Sequence, residues 1–336
     1  MLARVAENIY WLARYLERAE NTARLISVNA NLLLDLQRGY ELGWLPLIEI
    51  TGSRLAFEAQ KRRNDEREIV QFLLADAENP GSISASLNSA RENARTLRDI
   101  LPDEAWEILN EFFQEFTAQL PAGLNRRTRY EFLKRIVVIS QTLAGVLDGT
   151  MSRTDAYTFM MLGRNLERAD MTSRIVDVRS AQILPAATSD LGPFQTIQWI
   201  SVLRSLSGQH MYRQTRRVRV SRIESLDFVL RDTEFPRSCL FCLRQIELCL
   251  RTLTRSSGVL DTLAGAQRFL SQASFADLDQ QGLHQLIDHL QVYLIGVHAS
   301  IAQAYFPASP GSTRSPVPQS QAQDGGRTLP LFADGH

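Results

Sequence analysis

The stretch Arg14-Tyr15-Leu16-Glu17-Arg18-Ala19-Glu20-Asn21-Thr22-Ala23-Arg24 is written twice in this chain. It returns 150 positions later as Arg164-Asn165-Leu166-Glu167-Arg168-Ala169-Asp170-Met171-Thr172-Ser173-Arg174. Extended to Val28 and Val178, 8 of 15 positions are identical, where chance would give about one, so the sequence must be read as a repeat before anything else. A second segment supports this. Phe72-Leu73-Leu74-Ala75-Asp76 through Ser82 lines up with Phe228-Val229-Leu230-Arg231-Asp232 through Ser238, at an offset of 156, and Leu87 and Leu243 continue the match.

The repeat carries a helical period. Leu2, Val5, Ile9, Leu12, Leu16, Ala19, Ala23 and Ile26 recur at three- and four-residue steps, which predicts a long amphipathic helix over about 2–37. The same pattern predicts another over 153–184. Between them the sequence reads as an apolar segment at 44–60, a polar bend at 61–67, a short helix ending near Asp76, and a helix opened by Asn79-Pro80-Gly81-Ser82. Further helices are expected from Pro102 to Phe116 and over 129–148, with Pro121-Ala122-Gly123 breaking the pattern between them. The second half repeats this order, with about six helices per half. No sustained alternation or tight-hairpin signal points to a strand. The expected fold is all-α, an internally duplicated helical bundle. Residues 1–150 form one repeat and 151–306 the other, in one body with the two long motif helices packed centrally. From Pro307 the composition turns to Pro, Ser, Gly and Gln, so 307–336 reads as a disordered tail.

Composition narrows function mainly by exclusion. Formal net charge is zero, so no overall field draws the chain to nucleic acid or an anionic membrane. Lys61 and Lys134 are the only lysines, which leaves little scope for Schiff-base chemistry and favours bidentate arginine–carboxylate pairing. No apolar run is long enough for a membrane span. With three clustered cysteines and no leader-like start, a cytoplasmic location is expected. No Gly-rich phosphate loop, nucleophile elbow or paired-cysteine metal site is present, so no cofactor or metal is expected. Cys239-Leu240-Phe241-Cys242 lacks a β-α-β context and shares a stripe with Leu243, Ile246 and Leu250, which reads as core. His284 and Asp288 lie four apart without a metal-binding spacing around them and read as ordinary polar-face residues.

On a helix, Glu7, Tyr10, Arg14, Glu17, Arg18, Asn21 and Arg24 share one broad face opposite the apolar stripe. Arg164, Glu167, Arg168 and Arg174 take the equivalent places in the second copy. A single copy would read as a solvated face with acid-then-base pairs such as Glu20–Arg24 and Asp170–Arg174. Retention in both copies favours either an Arg–Glu network buried between the two long helices or a pseudo-symmetric ligand cleft. The Pro80-Gly81-Ser82 and Pro236-Arg237-Ser238 turns need no explanation beyond helix capping.

Several motifs together resemble the bacterial alpha-E family. They are Val5-Ala6-Glu7-Asn8-Ile9-Tyr10-Trp11-Leu12-Ala13-Arg14-Tyr15-Leu16-Glu17-Arg18, Ala90-Arg91-Glu92-Asn93-Ala94-Arg95, Asp148-Gly149-Thr150-Met151-Ser152-Arg153, and Leu162-Gly163-Arg164-Asn165-Leu166-Glu167-Arg168. The resemblance covers residues 1 to about 306; Ala13 departs from it, since the family often has Gly there. It implies a setting with an ATP-grasp-type ligase and a transglutaminase-like peptidase, and no transferable catalytic residue. The expected function is therefore a non-catalytic helical partner of such a peptide or amide ligase system, binding the ligase or its peptide substrate. The alternative is a small-ligand binder or enzyme that uses the duplicated Arg/Glu face, with Glu17 and Glu167 as acid/base or amine-binding groups.

Overall fold

A computed structural model describes residues 1–35, 43–181 and 192–306. The described residues form fourteen α-helices: α1 (Ala3–Asp35), α2 (Leu45–Ile50), α3 (Arg54–Ala59), α4 (Glu66–Leu74), α5 (Ile83–Arg95), α6 (Asp103–Leu124), α7 (Arg129–Thr150), α8 (Asp155–Ala181), α9 (Gly192–Ser205), α10 (Gln209–Arg216), α11 (Arg222–Arg231), α12 (Cys239–Thr252), α13 (Ser257–Gln272) and α14 (Gln280–Tyr305). The all-α class expected from the sequence is what forms, and no strand occurs among the described residues. None of these helices is long and apolar enough to cross a membrane. The tail expected at 307–336 lies outside the described residues.

α1 runs 33 residues without an internal Gly or Pro. It packs against α5, α7 and α8, while α8 packs against α12 and α14. α1 and α8 lie side by side and parallel, as successive contacts show. Tyr10 backs onto Gly163, Arg14 bonds Glu167, and Arg179 Nη2 donates to Asn29 Oδ1 at 2.9 Å. Most of the apolar stripe of α1 is buried, with Ile9, Ala19, Ala23 and Ile26 at 0% exposure. The middle of the polar stripe, Tyr10, Arg14, Glu17, Arg18 and Asn21, is buried as well, because it packs against α8 and its neighbours.

Local chemistry explains the boundaries, including some the sequence misplaces. The apolar segment 44–60 is two helices because Gly52 takes φ 65°, a left-handed turn that a side chain would strain. The N-cap of α5 is Ser82, whose Oγ accepts from Ala85 N at 3.0 Å and donates to Asp76 O at 2.6 Å. Asn79, expected as the cap, instead ties the turn by accepting from Gly81 N and donating to Phe72 O. Ser238 caps α12 in the same way, accepting from Phe241 N and donating to Asp232 O. Pro121 does not end α6, which continues to Leu124. The proline removes one N–H near the helix end, and the carbonyl deprived of it belongs to Thr117, an exposed residue that water can reach.

Candidate functional site

The polar stripe of α1 and its counterpart on α8 form one buried network. Glu167, 1% exposed, is held by two arginines from α1. Arg14 Nε donates to its Oε2 at 2.6 Å, and Arg18 donates through Nε to Oε1 at 2.6 Å and through Nη2 to Oε2 at 3.0 Å. Such charge-assisted, bidentate geometry is the strong form of the interaction. Arg14 also lies 5.0 Å over the Trp11 ring, and Arg18 lies 5.7 Å over Tyr15.

Glu17, 5% exposed, is held by Arg168 of α8 at 3.0 Å and by Arg237 at 2.5 Å. Arg237 Nη1 also donates to Asn21 Oδ1 at 2.8 Å, and its Nη2 donates to Glu20 at 3.0 Å. Glu20 additionally pairs with Arg24, and Asp170 pairs with Arg174 at 3.0 Å. The structure thus brings together Arg14, Glu17, Arg18, Asn21, Arg24, Glu167 and Arg168, while Arg174 pairs with Asp170 on its own helix. Tyr10 joins at the edge, and Arg164 lies alongside without an ion pair among the described residues. Glu7 stays outside: it is half-buried, its carboxyl raised by burial against the pull of Arg4.

Electrostatics decide what these carboxylates can do. Burial disfavours ionised Glu17, but Arg168, Arg237 and Arg164 outweigh it and hold the carboxyl at about 2. Burial likewise opposes ionisation of Glu167, and Arg18 and Arg14 bring it down to about 2. A carboxylate this stable and this enclosed is a poor general base, since catalysis favours a pKa near the working pH.

Two members escaped the sequence reading. Arg237 sits in a turn that helix capping alone would explain, yet it is a principal partner of Glu17. The signal was the mismatch at that position of the second repeat, Gly81 in one copy and Arg237 in the other. His298 of α14 is the second. Tyr10 Oη and His298 Nδ1 lie at hydrogen-bond distance, 2.8 Å apart, and Arg14 Nη1 approaches the same nitrogen at 3.4 Å. Burial, and then the Arg14 charge, lower His298 to about 4. The folded pKa lies below the ordinary 6.5, so the unfolded chain binds the extra proton between the two values. The stability His298 adds is present above pH 6.5 and is lost as pH falls toward 4, by about 3 kcal/mol. Urea denaturation across that range should show this loss in the native chain and a much flatter response in His298→Gln.

The remaining chemistry-bearing groups behave differently. Cys239 and Cys242 are buried, with Sγ atoms donating to the carbonyls of Ala169 and Pro236 at 3.6 Å each. Burial pushes the Cys242 thiol up to about 12, so neither is activated. His284 and Asp288 acquire a third neighbour, Asp177 of α8, which the sequence could not place. His284 Nδ1 lies 2.8 Å from Asp177 Oδ1, and the ligating atoms of all three lie within 4.8 Å of one another. They line a groove of about 350 Å³ together with Glu49, Glu58, Arg54 and Arg174, the two arginines being paired with Glu49, Glu58 and Asp170.

The alpha-E family model, described as a predicted alpha-helical domain with a conserved ER motif, matches residues 1–306. The chain belongs to the Alpha-E family. Uncharacterized proteins of Mycobacterium bovis and Mycobacterium tuberculosis are similar at 24% identity over 323 residues, and a further Mycobacterium tuberculosis protein at 23%. Each alignment covers 89% of this chain but 35% of the relative, so the chain spans about a third of the length of the curated relatives it matches. No solved structure matches it. Within this Alpha-E chain the Glu-Arg pairs Glu17-Arg18 and Glu167-Arg168 are the cross-bracing of α1 and α8, each glutamate taking an arginine from the other helix.

Proposed function

We propose that this Alpha-E chain is a non-catalytic helical partner of an ATP-grasp-type peptide or amide ligase, acting with a transglutaminase-like peptidase in the cytoplasm. The observation that carries this reading is the locked state of Glu17 and Glu167. The two acids best placed for chemistry are each spent on two arginines inside the protein. The longer relatives support it as well, since an Alpha-E region within a polypeptide about three times its length has room for other activities beside it. We also propose that the fold is duplicated, with α1 and α8 as its central pair. The identical Ser82 and Ser238 caps and the reciprocal Arg18–Glu167 and Arg168–Glu17 bridges support this.

A second reading rests on the groove beside Arg174, whose volume suits a small molecule. Its lining of Arg54, Arg174, Glu49 and Asp288 offers charges of both signs, as a free amino acid or dipeptide would require.

Co-expression with an ATP-grasp-type ligase from the same genome tests the first reading. The expected result is a complex that survives size exclusion, and a ligase whose turnover depends on this chain. No complex and unchanged ligase turnover would refute it; amino-acid or dipeptide binding by the chain alone would then favour the second.

A further inference from the structure

Asp177 of α8 stands apart from the other enclosed acids. Glu17, Glu20, Asp76, Glu167, Asp170 and Asp232 each pair with at least one arginine. The Asp177 side chain is 15% exposed, as shielded as that of Asp232, yet among the described residues its ion-pair partner is a histidine, His284 of α14. Asp288, one turn further along α14, likewise meets only His284 among the described residues. One imidazole balances at most one of these two charges. The repeat does not account for the arrangement, because the counterpart of Asp177 in the 150-residue register is Ser27.

All three side chains line the groove of about 350 Å³ bounded by α2, α3, α8 and α14. His284 and Asp288 lie four apart on α14 and so project from one face, and the packing of α8 against α14 brings Asp177 to them. His284 stands 2.8 Å from Asp177 and 3.5 Å from Asp288, and one imidazole nitrogen and one oxygen of each aspartate all lie within 4.8 Å of one another. Ligand atoms bound tetrahedrally to zinc at about 2.0–2.1 Å stand about 3.4 Å apart. Small rotations of His284 and Asp288, both more than half exposed, would close the set to that spacing. The arginines of the groove do not supply the missing positive charge, since Glu49 and Glu58 hold Arg54 and Asp170 holds Arg174.

We infer that Asp177, His284 and Asp288 form a site for one divalent transition-metal ion, zinc by preference, on the wall of this groove. An imidazole with two carboxylates is a nitrogen–oxygen set that suits zinc, whereas magnesium and calcium take oxygen ligands throughout. The ion supplies the positive charge that a single histidine cannot. Three protein ligands leave a tetrahedral ion with a fourth position, which here faces the groove and is open to water or to a carboxylate of a small ligand. Such an ion requires neither a ligase partner nor an organic ligand, and so stands apart from both proposed functions. Spacing along α14 offers two of the ligands; the third comes only from the packing of α8.

Isothermal titration calorimetry of the full chain, first stripped of metal by a chelator, with zinc chloride is the test. One zinc per chain is expected, with no comparable binding of magnesium or calcium. His284→Gln and Asp288→Asn change side chains more than half exposed, so both should fold, and each should weaken zinc by at least about tenfold, the smallest loss usual even for a group that only orients a ligand. Asp177→Asn should do the same. Glu58→Gln, on the same groove but outside the set, and Cys249→Ser, which removes the one cysteine that is not fully buried, should bind zinc as the native chain does. Crystals grown with zinc should give an anomalous peak at the zinc edge within reach of all three side chains. No zinc binding, magnesium binding as tightly as zinc, native affinity in the His284 and Asp288 variants, loss of affinity in Cys249→Ser, or a zinc peak only elsewhere would each overturn the inference.

Discussion

Glu167→Gln should cost the fold about 3–5 kcal/mol at pH 7, the range for breaking a buried ion pair from one side. The substitution keeps shape and volume but removes the charge and turns one acceptor oxygen into an NH2 donor facing guanidinium N–H groups, so the loss measures the stranding of Arg14 and Arg18, both under a tenth exposed. Arg54–Glu58 supplies the contrast, with side chains 58% and 56% exposed; Glu58→Gln should change stability by less than about 1 kcal/mol. Urea denaturation of both variants decides the matter, and comparable small losses would show that burial is not what makes the network matter. The same variant has a pH signature. Glu167 is held at about 2 when folded, against an ordinary 4.5, so its contribution is complete above pH 4.5 and disappears as pH falls through that window. Acid unfolding of the native chain should therefore steepen below pH 4.5, after the His298 loss has begun, and Glu167→Gln should remove much of the steepening.

Gly163→Ala should be at least as damaging, by about 3 kcal/mol or more, above the usual range for one inserted methyl. A Cβ at Gly163 would sit 2.2 Å from the Tyr10 carbonyl oxygen and 3.0 Å from its carbonyl carbon. Those are backbone atoms, so no side-chain rotation relieves the clash; α1 and α8 would have to separate by roughly an ångström. Separation would stretch the 2.6 Å contacts of Arg14 and Arg18 to Glu167, so the steric and electrostatic losses are coupled. The register counterpart, Ala13, shows how local the requirement is. Ala13→Gly should cost only about 1 kcal/mol, mostly helix propensity. A Gly163→Ala protein that unfolds at the native urea midpoint would mean that the helices have slack at this crossing.

Much of this was legible in the residues. The three- and four-residue period of α1 survives in the structure to within a few residues, because a helix buries whichever stripe its sequence makes apolar. The 150-residue repeat pointed to the residues that meet, and the Ser82 and Ser238 turns do cap helices. The reading failed where local signals competed with something distant. Pro121 looked like a stop, but it falls close enough to a helix end for water to replace the missing bond. Asn79 looked like the cap, but its side chain was better used within the turn. Asp177 and His284, 107 residues apart, became neighbours with no trace in their spacing.

The sequence by itself determined which side chains share a helical face, that the chain is all-helical, and that Arg14, Glu17, Arg18 and their counterparts belong together. Those properties follow from a fixed rotation per residue, which any reader of the chain can apply. Whether that face meets water or another helix was decided only by tertiary structure. So was the arrival of Arg237 from 220 residues away at Glu17. Charges on one helix can be located from the helix alone, but the dielectric around them and the partners that reach them come from whatever packs against it.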